Sequence, residues 1–150
     1  MSAETSSCTV SHLDHVGIAV TSVEAALAVF RWLLDAPETE IIEEPELGVR
    51  AALVAQGQTR IELLEPTHPD SPIGRHIARR GEGLHHIAFQ VDDISAKLAQ
   101  LKSAGVPLLD EEPRRGLTGT IAFMHPDAVH HVLVELVEPA ESRVREQKQA

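Results

Sequence analysis

The sequence predicts an α+β fold in which one β-α-β-β-β module occurs twice. Two observations carry this reading. A strand headed by histidine recurs 71 residues along the chain, and a strand ending in Glu-Pro recurs 73 residues along it. Each strand alternates apolar residues with period two, as a half-buried strand does, and a repeat of this length marks a duplicated unit.

The first element of each copy is a strand: His15-Val-Gly-Ile-Ala-Val20 superposes on His86-Ile-Ala-Phe-Gln-Val91. Thr21-Ser22 and Asp92-Asp93 follow where a helix N-cap belongs, since a short polar side chain can take up an unpaired amide of the first turn. Val23, Leu27 and Phe30 then match Ile94, Leu98 and Leu101 at helical spacing, and Gly105 stands where a helix would end. Three strands are expected after each helix. In the first copy they run roughly over 39–42, 49–55 and 59–64; in the second, over 107–109, 120–124 and 131–137. The last strands share one signature, Ile61-Glu62-Leu63-Leu64-Glu65-Pro66 against Val134-Glu135-Leu136-Val137-Glu138-Pro139. The connection between copies, 67–83, is rich in Pro and Gly and includes a short helix over 73–79. The organisation read from this is one domain over 12–139, with module one at about 12–66 and module two at about 84–139. Flexible tails are expected at 1–11 and 140–150.

Composition narrows the function. With 43% hydrophobic residues, 150 residues can bury a core. No apolar run approaches the roughly 20 residues that span a bilayer, so no membrane partner is expected. The opening MSAETSSCTVSHLDH lacks a basic region followed by an apolar stretch, so it reads as having no signal peptide, and a cytoplasmic location is expected. Cys8 is the only cysteine, which excludes an intrachain disulfide. A net charge of −10, no tyrosine and one tryptophan, Trp32, argue against nucleic acid as a partner.

The repeat places one His and one Glu at matching positions in each copy: His15 with Glu62, 47 residues apart, and His86 with Glu135, 49 apart. Taken singly, each Glu reads as the solvent-facing residue of an alternating strand, and each His as structural. Their joint recurrence favours another reading. If the modules pair about a pseudo-twofold axis, two imidazoles and two carboxylates converge and leave positions open on a six-coordinate ion. That donor set suits a divalent metal such as Co, Mn, Ni or Zn. A carboxylate facing inward among apolar neighbours needs such a partner, because burying it alone costs several kcal/mol.

These residues resemble the vicinal oxygen chelate (glyoxalase/bleomycin resistance) superfamily, which includes glyoxalase I and methylmalonyl-CoA epimerase. Within it, several stretches look like the epimerase family: Glu62-Leu-Leu-Glu-Pro66, Asp70-Ser-Pro-Ile73, Gly81-Glu-Gly-Leu-His-His-Ile-Ala-Phe89, Asp110-Glu-Glu-Pro-Arg-Arg-Gly116 with Gly119, Phe123-Met-His-Pro126 and Val132-Leu-Val-Glu-Leu136. The likeness spans about 13–138. It implies paired βαβββ modules forming a cup-shaped mixed sheet, a divalent metal held by His15, Glu62, His86 and Glu135, and a homodimer. His86 aligns with His15; His85 is expected on the opposite face of its strand.

The activity implied is a metal-dependent epimerase interconverting (R)- and (S)-methylmalonyl-CoA, by removal of the C2 proton through a metal-stabilised enolate. Such a reaction wants proton-handling groups on both faces of the substrate, and Glu135 is one of them. Some epimerases carry a Glu after the Gly-Val of the second strand, where this chain has Ala51; Glu46 is the nearest remaining carboxylate. Asp127 and His131 also depart from the family's usual Lys and Gly. Arg75, Arg79, Arg80, Arg114 and Arg115 are available to CoA phosphates, although each also reads as a solvated surface residue, as do His125, His130 and His131. Two alternatives stay open: a glyoxalase-type isomerase or specialised epimerase of the same superfamily, and a non-catalytic module that binds a small ligand.

Overall fold

The computed structural model describes residues 8–141; most of both expected tails lies outside that range. The described residues form two compact units, His15–His86 and a second made of 8–14 with 87–141.

In the first unit the strands run in the order β2, β3, β4, β1. β1 (Val10–Ala19) pairs in parallel with β4 (Thr59–Pro66), and β4 pairs antiparallel with β3 (Val49–Gln56), which pairs antiparallel with β2 (Ile42–Glu44). Helix α1 (Val23–Leu34) lies on one face of these strands. Its side chains Val23, Ala26, Leu27 and Phe30 pack on Ile18, Val20, Ala52, Val54, Ile61 and Leu63. Because side chains alternate along a strand, His15, Gly17, Ala51, Leu53 and Glu62 share the other face, and the register pairs Gly17 and Leu53 with Glu62. Helix α2 (Pro72–Arg80) begins with Ser71 as N-cap, its Oγ accepting from Gly74 N at 3.1 Å.

The second unit repeats the plan. β5 (Gly83–Val91) begins in the first unit and continues into the second. It pairs in parallel with β8 (Val134–Pro139), β8 antiparallel with β7 (Gly119–Phe123), and β7 with the two-residue β6 (Arg114–Arg115). Helix α3 (Ile94–Ser103) packs Ile94, Leu98 and Leu101 on Val91, Ala122 and Leu136. Ala88, Ile121, Phe123 and Val137 cluster separately, on the face that Glu135 shares.

The helix starts agree with the sequence. Ser22 Oγ accepts from Ala25 N at 3.2 Å and Asp93 Oδ1 from Ala96 N at 3.0 Å. Gly105 follows α3 with φ of 74°, a conformation open to glycine. Several strand boundaries differ. The strand expected at 39–42 lies at Ile42–Glu44, where Glu43 faces Arg50 and the 3-10 turn Pro45–Leu47 closes the hairpin. The strand expected from 131 begins at Val134, because His130 and His131 both adopt left-handed backbone, φ 52° and 69°. At 107–109 a single bridge, Leu108 to Met124, replaces a strand. β1 opens at Val10, inside the expected tail, where Thr9 O accepts from Asp92 N and Ser11 Oγ donates to Gln90 O. Among the described residues no helix is long and apolar enough to cross a membrane.

Candidate active site

Three of the four predicted ligands meet within the first unit. His15 comes from β1, Glu62 from β4 and His86 from the start of β5, and all are buried. His15 Nε2 and His86 Nε2 lie 3.1 Å apart. Glu62 Oε2 is 3.5 Å from His15 Nε2, and Glu62 Oε1 is 3.8 Å from His86 Nε2. The imidazole planes stand nearly perpendicular, at 87°.

Gly17 makes room for this arrangement. A Cβ placed there would collide with Cε1 and Nδ1 of the His86 ring. The parallel register sets Gly17 beside Glu62, so the missing side chain leaves a space that the imidazole fills. The repeat had marked this glycine only as one residue of an apolar strand. Its counterpart in the second copy is Ala88, which pairs with Glu135.

The residues present fit a divalent ion. Two ring nitrogens bound at about 2.1 Å in neighbouring positions would stand roughly 3.0–3.4 Å apart, and the histidine nitrogens already lie at that separation. Burial drives the His86 imidazole down to about 2, with His15 and His85 adding to the effect. It is therefore neutral near pH 7, the form that ligates a metal.

His85 touches the site although strand alternation turns it away from His86. The burial alternation holds, with His86 and Ala88 buried and His85 and Ile87 less so. Yet His85 Nδ1 lies 2.9 Å from His86 Nδ1. The His85 ring also meets His76 of α2 edge to face, with centroids 4.8 Å apart. Burial holds His85 down to about 4, with His76 the lesser cause. Strand alternation could not reveal this partner; only the paired His-His of the motif hinted at it.

Glu135 lies in the second unit, buried on β8 between Ala88 and Phe123. Glu46 is exposed in the turn Pro45–Leu47. Ala51 is buried on the Glu62 face. Arg75, Arg79 and Arg80 are exposed on α2. Arg114 is held by Asp110 Oδ1 at 3.1 Å and lies over the Phe123 ring. His125 accepts from Asp127 N and caps the turn Pro126–Val129, while His130 and His131 are exposed.

The family model of the Glyoxalase/Bleomycin resistance protein/Dioxygenase superfamily matches residues 14–124. The chain belongs to this superfamily. Among its superfamily relatives is the human mitochondrial methylmalonyl-CoA epimerase, 40% identical over 126 residues, covering 83% of this chain and 72% of the relative. The ethylmalonyl-CoA/methylmalonyl-CoA epimerase of Cereibacter sphaeroides is 38% identical, covering 85% and 97%. A methylmalonyl-CoA epimerase solved with methylmalonyl-CoA and NH4+ superposes with a TM-score of 0.82 at 38% identity, covering 89% and 97%. The two-module α+β fold is thus the superfamily's fold, and kinship with its epimerases makes the chain an isomerase of epimerase type.

Proposed function

We propose that this chain interconverts (R)- and (S)-methylmalonyl-CoA with the help of one divalent metal ion. The observation that carries the reading is the buried convergence of His15, Glu62 and His86. Glu135, the repeat mate of Glu62, is the fourth ligand in this proposal. When bound, the ion supplies positive charge to offset the negative charge that develops at the thioester oxygen as the C2 proton leaves.

The chain's own residues do the rest. His15, His86 and Glu62 hold the site, and burial keeps the His86 ring neutral and ready to bind. Glu135 is one proton-handling group and Glu46 the other, one for each face of C2. Ala51 has no exchangeable side-chain proton, so the position where some epimerases carry a Glu takes no part here. The arginines of α2 and Arg114 are available to CoA phosphates. A homodimer belongs to the same proposal and is read by analytical ultracentrifugation.

The test is incubation of the metal-loaded protein with methylmalonyl-CoA in D2O, with a chelated sample alongside. Metal-dependent deuterium incorporation at C2 is expected. Full exchange in the chelated sample would remove the metal from the reading, and no exchange in either would remove the substrate. Ethylmalonyl-CoA, named for the Cereibacter relative, is the first alternative substrate to try.

A further inference from the structure

We infer that His85 is a positioning residue: it accepts a hydrogen bond from Nδ1–H of His86 and so fixes the tautomer in which His86 Nε2 presents its lone pair to the metal. The inference rests on the metal-site reading above.

Proton counting carries the argument. The two Nδ1 atoms are 2.9 Å apart, so one proton lies between them and one of the two rings donates it. If His85 donated, a neutral His86 would carry its proton on Nε2, the atom that faces His15 Nε2 and Glu62. A protonated Nε2 cannot ligate. With the proton on His86 Nδ1, its Nε2 is free and His85 is the acceptor; across the 3.1 Å pair it is then His15 Nε2–H that donates, until a bound ion shifts His15 to its other tautomer. Metal-binding histidines commonly use their other ring nitrogen in this way, with a carboxylate or carbonyl as partner. Here a second imidazole takes that place.

His85 is itself held. Its ring stands at 77° to that of His76, with centroids 4.8 Å apart, and at 87° to that of His86, with centroids 5.2 Å apart. Edge-to-face stacking of this kind limits ring rotation. Helix α2 therefore braces His86 through His85. This gives a physical use to two features of the connecting segment: the helix at Pro72–Arg80 and the doubled histidine that follows it.

The experiment is nitrogen-15 NMR of the histidine rings in the full chain, joined to zinc titration. In the wild-type protein His86 should show a pyrrole-type Nδ1 and a pyridine-type Nε2 before metal is added. His85→Asn keeps an acceptor near the same place and should retain both the tautomer and zinc affinity within a few-fold. His85→Leu keeps the bulk but not the acceptor; His86 should then populate both tautomers, and zinc affinity should fall about 10–100-fold. A wild-type His86 protonated on Nε2 would overturn the inference without any variant. Equal loss in Asn and Leu variants with the tautomer unchanged would do the same, because it would show a packing role only. Failure of the wild-type chain to bind zinc would instead overturn the metal reading, and the tautomer spectrum would still judge His85.

Discussion

The two copies of the repeat agree in how they are anchored and differ in what surrounds the anchor. Glu65 Oε1 accepts from Val23 N at 3.2 Å, and Glu138 Oε1 accepts from Ile94 N at 3.2 Å. The Glu-Pro signature thus ties the last strand of each copy to the first turn of its own helix, where a carboxylate also meets the positive end of the helix dipole. Facing Glu65 across the sheet is Arg50, whose Nη1 donates to Glu65 Oε2 at 2.7 Å and whose Nη2 pairs with Glu24. Facing Glu138 is Thr120. Beside Glu62 stands Gly17, and beside Glu135 stands Ala88. The common residues serve the module. The differing residues set a glycine beside a neighbouring imidazole and a charged brace in the first copy, where the second has Ala88 and Thr120.

This contrast can be broken in graded ways. The largest effect is expected from His86→Ala, which should abolish metal binding and turnover together; isothermal titration with zinc and the exchange assay check it, and full activity without metal would refute the site.

Next comes the glycine. Gly17→Ala forces a methyl into the His86 ring and should cost about 1–3 kcal/mol of stability together with metal affinity. Ala88→Gly should cost about 0.5–1 kcal/mol, chiefly through backbone entropy. Thermal unfolding and zinc titration of both variants measure the difference, and equal penalties would mean the copies are equivalent at this position.

Glu46→Gln should slow deuterium exchange at C2 without releasing metal; unchanged turnover would take Glu46 out of the mechanism.

The smallest effect concerns acid. Hydrogen bonds from Arg50 hold the Glu24 carboxyl below its ordinary 4.5, and Thr21 N–H and hydroxyl hold Glu82 below the same value. A carboxyl lowered in the folded state stabilises it above pH 4.5, and that contribution fades as pH falls below 4.5 through the folded value. Hydrogen exchange between pH 5 and 3 should therefore show the unit His15–His86 losing protection, and Arg50→Met should flatten the trend.

Much of this was legible in the sequence, for a physical reason. His15, Glu62, His86 and Glu135 recur at matched spacing, and duplication preserves chemistry as well as pattern, so the repeat exposed them. The core faces were legible too, since Val23, Leu27 and Phe30, like Ile94, Leu98 and Leu101, obey helical periodicity. What escaped depends on distances across elements. Gly17 matters because of a ring on another strand, and His85 because its nitrogen reaches that of the following residue. β6 spans only two residues, too few to show alternation. The left-handed turn at His130 and His131 carries no glycine, so nothing local announced it.

The most direct test of the central claim, that the repeated His and Glu residues serve one divalent ion, is anomalous diffraction from cobalt-loaded crystals. A single strong peak bonded to His15 Nε2, His86 Nε2, Glu62 and Glu135 is the predicted result. A peak bonded to other residues, or none on a protein that epimerises its substrate, would contradict it.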